Sequence, residues 1–327
     1  MLFQCVPNIS EGRDASFIDF LKQKIIAIPG AFLLDVDPGY SAKRSVFTIV
    51  GNAQAVMSSA ICIVEHSLTH INIFNYQSSH PCVGAVDVIP FIALNPACAD
   101  EAIEISKLCA SEISSRFNIP CFLYGDSTKS IESKELSFIR KGGVRALSER
   151  MYRGEVEPYT GPHGTHPTFG AICIGARPIL VAYNVNLSTK DLRVGKQVAK
   201  KIRELRTSNQ HAAYLRAIAW EAPEFDCVQI SLNLLDYKKC SVKDAFLLVR
   251  SVGKEIGVEV NGSELVGMLP LGALVSEAEA REVFDLQQMS SVERVVAEVG
   301  LSKVKPFSKE KILDVALKEL GMVSAPL

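Results

Sequence analysis

The run Ile179-Leu180-Val181-Ala182-Tyr183-Asn184-Val185-Asn186 is mostly apolar and predicts a buried β-strand. The elements predicted after this strand are, in chain order, an amphipathic helix over 189–206, strands over 216–221 and 227–236, a helix over 242–257 and a short strand over 258–260. This β-α-β-β-α-β order is typical of ferredoxin-like folds, in which helices cover one face of the sheet.

The first half of the chain shows the same order. Its predicted elements are a strand over 3–6, a helix over 17–26, strands over 31–37 and 45–50, a helix over 53–69, a strand over 86–92, a helix over 99–117 and a strand over 121–124. Runs such as Ala31-Phe32-Leu33-Leu34 are apolar on both strand faces, which is typical of sheets buried on both sides. We therefore expect an α/β (α+β) chain of two ferredoxin-like subdomains, 1–175 and 176–327, with sheets packed face to face and helices outside.

Composition limits the classes of function. The chain has 327 residues, enough for about two domains, and its 48% hydrophobic and 22% charged residues are ordinary for a soluble protein. A formal net charge of −1 gives no general attraction to nucleic acid or to a membrane surface, so neither is expected as a partner. The N-terminus does not resemble a signal peptide, and no apolar run approaches the ~18 residues of a membrane span. A cytoplasmic protein is predicted.

The nine cysteines are scattered, and no pair has CxxC spacing. This pattern predicts buried, reduced thiols in a reducing compartment and no zinc site. Phosphate-binding and hydrolase motifs are also missing from the sequence. His66 and His70 have a spacing of four residues on a predicted helix, but no third ligand is evident, so no metal is expected.

His80-Pro81 precedes the apolar run 86–92. Proline fixes its own φ and restricts the residue before it, so the imidazole is predicted to be mounted on a stiff turn. Histidine is the side chain whose unperturbed pKa lies closest to neutrality. The residues alone leave two interpretations open: a proton carrier in acid–base catalysis, or a hydrogen-bonded turn residue.

Residues 142–170 are rich in glycine and proline and predict a long loop or linker. The segment also carries aromatic and imidazole rings, namely Tyr152, Tyr159, His163, His166 and Phe169. Long ring-bearing loops in compact proteins are more often functional than disordered. We interpret this loop as a wall for a flat aromatic ligand.

Several motifs occur in a recognisable order, namely Cys5–Gly12, Leu33–Gly39, His80–Phe91, Gly161–Gly170, Gly175–Arg177 and Ala182–Leu187. Together they resemble the formiminotransferase domain family, from Cys5 to the region of Leu313. The resemblance implies two stacked α/β subdomains with substrate between them. Bifunctional members carry a cyclodeaminase domain after this point, so we expect a monofunctional chain with no cyclodeaminase domain.

The resemblance also implies a reaction, the transfer of the formimino group from N-formimino-L-glutamate to N5 of tetrahydrofolate in histidine degradation. Tetrahydrofolate is the co-substrate, no metal is needed, and a homodimer is expected. His80 matches the catalytic histidine of the family and is predicted to be the general acid and base. Asp37 matches an aspartate near it and is predicted to be the second catalytic residue. On the residues alone, Asp37 could equally be a turn residue before Pro38-Gly39.

The matched segments supply the remaining predicted site residues. The residues that would contact folate are Gly161, Pro162, His163, Gly164, Thr165, His166, Pro167, Thr168, Phe169 and Gly170. Glutamate and folate both carry carboxylates, for which arginine is the usual partner. Arg44, Arg140 and Arg177 lie in matched segments and are predicted to bind those carboxylates.

The sequence departs from the family pattern near His80. Cys82-Val83 stands where the family commonly has Arg-Met, Ser78-Ser79 where it has a charged pair, and Gly142-Gly143 where it has Gly-Glu. Two alternatives follow: the same fold acting on an N-formylglutamate donor, or an inactive homologue that binds folate or a partner.

Overall fold

The computed structural model describes residues 1–75 and 81–327 and separates them at residue 177. Unit 1 is Met1–Arg177 and unit 2 is Pro178–Leu327, and each has its own apolar core. His80 lies outside the described residues.

Unit 1 contains a mixed sheet covered by long helices. Its elements are β1 (Phe3–Cys5), β2 (Asn8–Ile9), α1 (Ala15–Ile26), β3 (Ala31–Gly39), β4 (Arg44–Gly51), α2 (Ala53–His70), β5 (Val86–Ala93), α3 (Ala99–Phe117), β6 (Cys121–Gly125), α4 (Leu136–Ile139), α5 (Gly143–Tyr152) and β7 (Ile172–Ala176). The strand order is β3-β4-β1/β2-β5-β7-β6, with antiparallel pairing up to β5 and parallel pairing from β5 to β6. This is the ferredoxin-like order extended by two parallel strands.

Unit 2 has the shorter form of the same arrangement. Its elements are β8 (Val181–Leu187), α6 (Leu192–Glu204), β9 (Leu215–Ala222), β10 (Cys227–Leu234), α7 (Val242–Ile256), β11 (Val260–Val266), α8 (Glu277–Leu286), α9 (Ser290–Glu298) and α10 (Leu313–Glu319). The antiparallel order β11-β8-β10-β9 is that of a ferredoxin-like sheet. The predicted α/β fold class with two such units is confirmed.

Three predicted segments differ from the structure. Residues 142–170 are not all loop, because α5 begins at Gly143 and buries Leu147 and Met151 at helical spacing. The glycine pair that indicated a break starts this helix instead, with Gly142 in the left-handed region at φ 79°. The last strand of unit 2 runs over Val260–Val266, longer than the predicted 258–260. The segment 172–176, to which no strand was assigned from the sequence, forms β7 and pairs with β5 and β6 inside the sheet of unit 1.

The sheet of unit 2 is not apolar on both faces, so that expectation was wrong. In β8, Tyr183 and Val185 belong to the apolar core, while Asn184 and Asn186 alternate with them on the opposite face. The apolar residues at 179–180 that suggested two apolar faces precede the strand. The predicted face-to-face packing of the two sheets stays a prediction.

At Gly84 the backbone lies so close to the backbone of Ala171 that only glycine fits. It forms an isolated bridge with Gly170, and a Cβ at Gly84 would overlap the carbonyl oxygen of Ala171. We expect Gly84→Ala to lower the free energy of unfolding by about 1–3 kcal/mol, measured by urea denaturation. Gly164→Ala is the matched control, since its nearest neighbour is the Tyr152 hydroxyl at 3.8 Å. Equal stability of both variants would contradict the prediction.

Candidate active site

Asp87 holds two arginines together inside unit 1. Its side chain lies in β5 and is fully buried. Oδ2 accepts hydrogen bonds from Nη2 of Arg44 at 2.6 Å and Nη2 of Arg140 at 2.5 Å, and Oδ1 accepts from Nε of Arg140 at 3.3 Å and the backbone N–H of Val83 at 3.0 Å. We call Asp87, Arg44, Arg140 and Val83 the Asp87 cluster. It fixes the chain three residues after His80.

The two arginines that bind Asp87 come from positions next to or within regular secondary structure. Arg44 is the first residue of β4, and its Nε donates to Oδ1 of Asn8 at 3.0 Å. Arg140 directly follows α4. Burial opposes ionisation of Arg140, but the charge of Asp87 raises the pKa of this guanidinium, so it stays cationic.

The sequence predicted Arg44 and Arg140 as carboxylate binders, and the structure brings them together on a carboxylate of the protein itself. Asp87 lies within the motif His80–Phe91, but the motif alone predicts no role for it. The signal was present, since Asp87 is the one charged residue in the apolar strand 86–92. Nη1 of Arg140 makes no hydrogen bond to the residues that the structure describes. This edge of the guanidinium can therefore donate to another carboxylate.

Cys82 stands where the family resemblance implies an arginine, and its thiol is neutral at physiological pH. Burial, with a further contribution from Asp87, raises the pKa of Cys82 to about 11, against the opposing charge of Arg44. Cys173 also feels the charges of Asp87 and the two arginines, and its pKa is raised to about 12, again mainly by burial. Neither thiol is suited to act as a nucleophile, since the thiolate is the reactive form.

We expect Cys82 of the native protein to react with iodoacetamide at pH 8 about 100-fold more slowly than an ordinary thiol, because a pKa of about 11 leaves little thiolate. The rate should rise as the pH approaches 11. Peptide-level mass spectrometry of native and urea-unfolded protein measures this directly. A native rate equal to the unfolded rate would contradict the prediction.

Arg177 is the last residue of unit 1. Its backbone N–H donates to the carbonyl of Phe91 at 3.2 Å. Burial raises the pKa of Tyr124 to about 12, while the nearby charge of Arg177 acts in the opposite direction. The Arg177 guanidinium is thus close to the Tyr124 hydroxyl, and its role with substrate stays a prediction.

The loop Gly161–Gly170 is bound to the chain on both sides of residues 76–80. The backbone N–H of Ile73 donates to the carbonyl of Thr168 at 2.8 Å, and that of Ala85 donates to the carbonyl of Phe169 at 2.8 Å. The N–H of Ala171 donates to the carbonyl of Val83 at 2.9 Å. The predicted folate segment is therefore hydrogen-bonded to the chain both before residue 76 and after residue 80.

Within this loop the side chains have different surroundings. His166 is a structural residue, because its Nδ1 accepts from the N–H groups of Phe169 at 3.1 Å and Thr168 at 3.3 Å. Burial lowers the pKa of His166, so its ring is neutral. The ring of Phe169 is fully buried in the core of unit 1 and offers no surface to a ligand. His163 is exposed, as are Gly161 and Pro167.

Two exposed aromatic rings lie beside this loop. Tyr152 and Tyr159 are 80% and 50% exposed, which is unusual for large aromatic residues. The Tyr152 hydroxyl is the nearest group to a Cβ built on Gly164, so the space around this glycine is open. Pro162, Gly164 and Thr165 are half-buried. Aromatic stacking surfaces next to open backbone are what a planar heterocycle needs.

Asp37 lies near the end of β3 and is buried, whereas Asp35 on the same strand is half-buried. Its residue partner across the ladder is Val46 of β4. The structure thus places Asp37 on the β3–β4 hairpin that also carries Arg44. Its predicted contact with His80 stays a prediction.

The two histidines of α2 serve packing. His70 stacks on Phe17 with ring centroids 3.7 Å apart and pairs through Nε2 with Asp14 at 3.0 Å, and His66 packs edge-on against Phe20. Within residues 1–75 and 81–327, no three His, Cys, Asp or Glu side chains converge as a metal site would require. In the same ranges, no helix combines the length and apolarity needed to cross a membrane.

The family models and the named relatives indicate the same family. Residues 2–177 match the family described as Formiminotransferase domain, N-terminal subdomain, and residues 182–318 match Formiminotransferase domain. The glutamate formimidoyltransferase of Streptococcus pyogenes serotype M1 is 36% identical over 85% of this chain and 92% of that protein.

Longer relatives match as well. The formimidoyltransferase-cyclodeaminases of Dictyostelium discoideum and Rattus norvegicus are 34% and 33% identical over 100% and 98% of this chain, which spans 62% and 60% of their lengths. Among solved structures, the periplasmic protease PqqL from Escherichia coli aligns over 97% of this chain and 41% of that one, with 10% identity and a TM-score of 0.20. That similarity is too low to support any argument.

Proposed function

The chain belongs to the formiminotransferase domain family, and we propose that it transfers the formimino group of N-formimino-L-glutamate to N5 of tetrahydrofolate. The observation that carries this proposal is the 36% identity to a glutamate formimidoyltransferase along 92% of that protein. The protein is then a folate-dependent transferase of one-carbon and histidine metabolism.

His80 is the proposed general acid and base. N5 attacks the amidine carbon, so a C–N5 bond forms, and the bond from that carbon to the glutamate nitrogen then breaks. His80 takes the proton from N5 and returns one to the departing nitrogen, so a single imidazole serves both steps. Asp37 is the proposed partner that fixes the tautomer of this imidazole.

Arg140 is the proposed binder of a substrate carboxylate. Asp87 holds one edge of its guanidinium through Nε and Nη2, which leaves Nη1 for a ligand. A guanidinium anchored in this way loses little entropy when it binds a carboxylate. Arg44 and Arg177 are proposed to add positive charge at the same site.

The loop Gly161–Gly170 is proposed to bind folate. The exposed rings of His163, Tyr152 and Tyr159 supply stacking surfaces, and Gly164 gives room for close approach. His166 and Phe169 are proposed to shape the loop from inside, since their side chains are engaged by backbone groups and by the core.

Further features of the family are proposed for this chain. Its two subdomains are proposed to be residues 1–175 and 176–327, which the separation of the structure near residue 177 supports. A cytoplasmic homodimer that requires no metal ion is also proposed.

A direct transfer assay tests the proposed function. The purified protein is incubated with N-formimino-L-glutamate and tetrahydrofolate, and mass spectrometry follows release of glutamate and formation of the formimino-folate. We expect turnover that requires both substrates. N-formylglutamate is tested in parallel, since Cys82-Val83 departs from the family pattern close to His80 in the sequence.

Two outcomes would contradict the proposal. Turnover with N-formylglutamate alone would show a different donor. Tight folate binding in calorimetry without any transfer would show an inactive homologue.

A further inference from the structure

Arg150 is a buried arginine whose guanidinium binds the main chain. It lies in α5, is 7% exposed, and its Nη1 donates to the carbonyl oxygens of Phe138 at 2.9 Å, Ile139 at 3.2 Å and Lys141 at 3.4 Å. The guanidinium carbon also lies 4.9 Å from the centre of the Phe138 ring. Its carboxylate neighbour, Glu155, is more distant, at 3.6 Å from Nε.

These three carbonyls surround Arg140 in the sequence. Phe138 and Ile139 are the last two residues of α4 and Lys141 follows the C-cap, where the carbonyl groups at the end of a helix favour a cation. The N–H of Arg140 donates to the carbonyl of Leu136 at 2.9 Å, and its carbonyl accepts from the N–H of Gly143 at 2.9 Å. Arg150 therefore completes the hydrogen bonding of the turn that carries Arg140.

We propose that Arg150 is a positioning residue for substrate binding, acting through Arg140. The inference rests on the proposed function, in which Nη1 of Arg140 binds a carboxylate of the substrate. Asp87 fixes the far end of the Arg140 side chain, and Arg150 fixes its backbone, so the direction of Nη1 is set from both ends. Displacing the turn by about 1 Å misaligns this donor and weakens the contact.

The first test is Arg150→Met, with Arg153→Met as the matched control. Arg153 directly follows the same helix, is exposed, and among the residues that the structure describes forms ion pairs with Glu149 and Glu155. We expect Arg150→Met to raise KM for N-formimino-L-glutamate about 10-fold while kcat changes less than about twofold. Arg153→Met should leave both unchanged. Should Arg150→Met not fold, as judged by circular dichroism, Arg150→Lys replaces it and should raise KM by a smaller factor.

The second test asks whether the effect passes through Arg140. In the Arg140→Met background, adding Arg150→Met should not raise KM further, because the group that Arg150 positions is already absent. Additive effects on KM, an unchanged KM in folded Arg150→Met, or a loss confined to kcat would each overturn the proposal.

Failure of the proposed function can be distinguished from failure of the Arg150 proposal, because wild-type protein would then transfer no formimino group. Calorimetric titration with N-formimino-L-glutamate then decides the role of Arg150. Weaker binding by Arg150→Met than by wild type supports it. Equal affinities, or no binding by either protein, overturn it.

Discussion

Replacing His80 by alanine is expected to reduce kcat for formimino transfer by about 10²–10⁴-fold, the range that a positioned general acid or base contributes. The expectation rests on the His80-Pro81 motif and on the anchoring of its neighbours, since Val83 is held by Asp87 and Ala85 by the loop at Phe169. KM for tetrahydrofolate should change much less, because His80 is proposed to act on the proton rather than to bind folate. Steady-state kinetics with both substrates varied separates the two parameters.

Two comparisons make the His80 result specific. His66→Ala removes another imidazole of unit 1, one that packs against Phe20, and should leave kcat within about twofold of wild type. Added imidazole should restore part of the activity of His80→Ala, since a free base can replace the missing one. A rate for His80→Ala within twofold of wild type would remove His80 from the mechanism.

The order of strands and helices could be predicted from the sequence because apolar periodicity is a local property. The helix predicted over 99–117 agrees with α3, Ala99–Phe117, and most other elements differ from prediction by a few residues. The position of β7 between β5 and β6 could not be predicted, since strand pairing depends on contacts between distant residues. The alternation of apolar and polar residues along β8 was not predicted either. The apolar residues 179–180 precede the strand, and including them made the strand look apolar on both faces, although Asn184 and Asn186 form a polar face.

In the candidate site, too, local sequence patterns predicted the residues but not the contacts between distant ones. Arg44 and Arg140 were identified by their matched segments, but their common partner Asp87 lies 43 and 53 positions away in the chain, and no local pattern encodes those contacts. His166 was identified by its position in a matched loop, whereas its role depends on backbone N–H groups that only a folded turn brings to Nδ1. Residue type and motif predict membership in a site, but the partner of each side chain is decided by tertiary structure.

Replacing Asp87 by alanine is expected to lower the free energy of unfolding by about 3–5 kcal/mol, because the change leaves the guanidinium groups of Arg44 and Arg140 buried together without their carboxylate. For a unit of this size the loss corresponds to a fall of about 6–20 °C in the melting temperature, measured by calorimetry. Asp87→Asn keeps an acceptor but removes the charge and should have a smaller effect. Activity should fall in both variants, since Arg140 loses the charged group that orients it, and Asp87→Ala also removes the acceptor for the N–H of Val83.

A compensating replacement tests whether uncompensated buried charge, rather than the loss of a single contact, causes the loss of stability in Asp87→Ala. Combining Asp87→Leu with Arg44→Met and Arg140→Met removes all three charges, and we expect most of the lost stability to return while activity does not. Asp19→Ala, which breaks an exposed ion pair with Lys22, is the control and should change stability by less than about 0.5 kcal/mol. If the triple variant is no more stable than Asp87→Ala, uncompensated buried charge is not the cause, and the Asp87 cluster must stabilise unit 1 through its shape and its hydrogen bond to Val83.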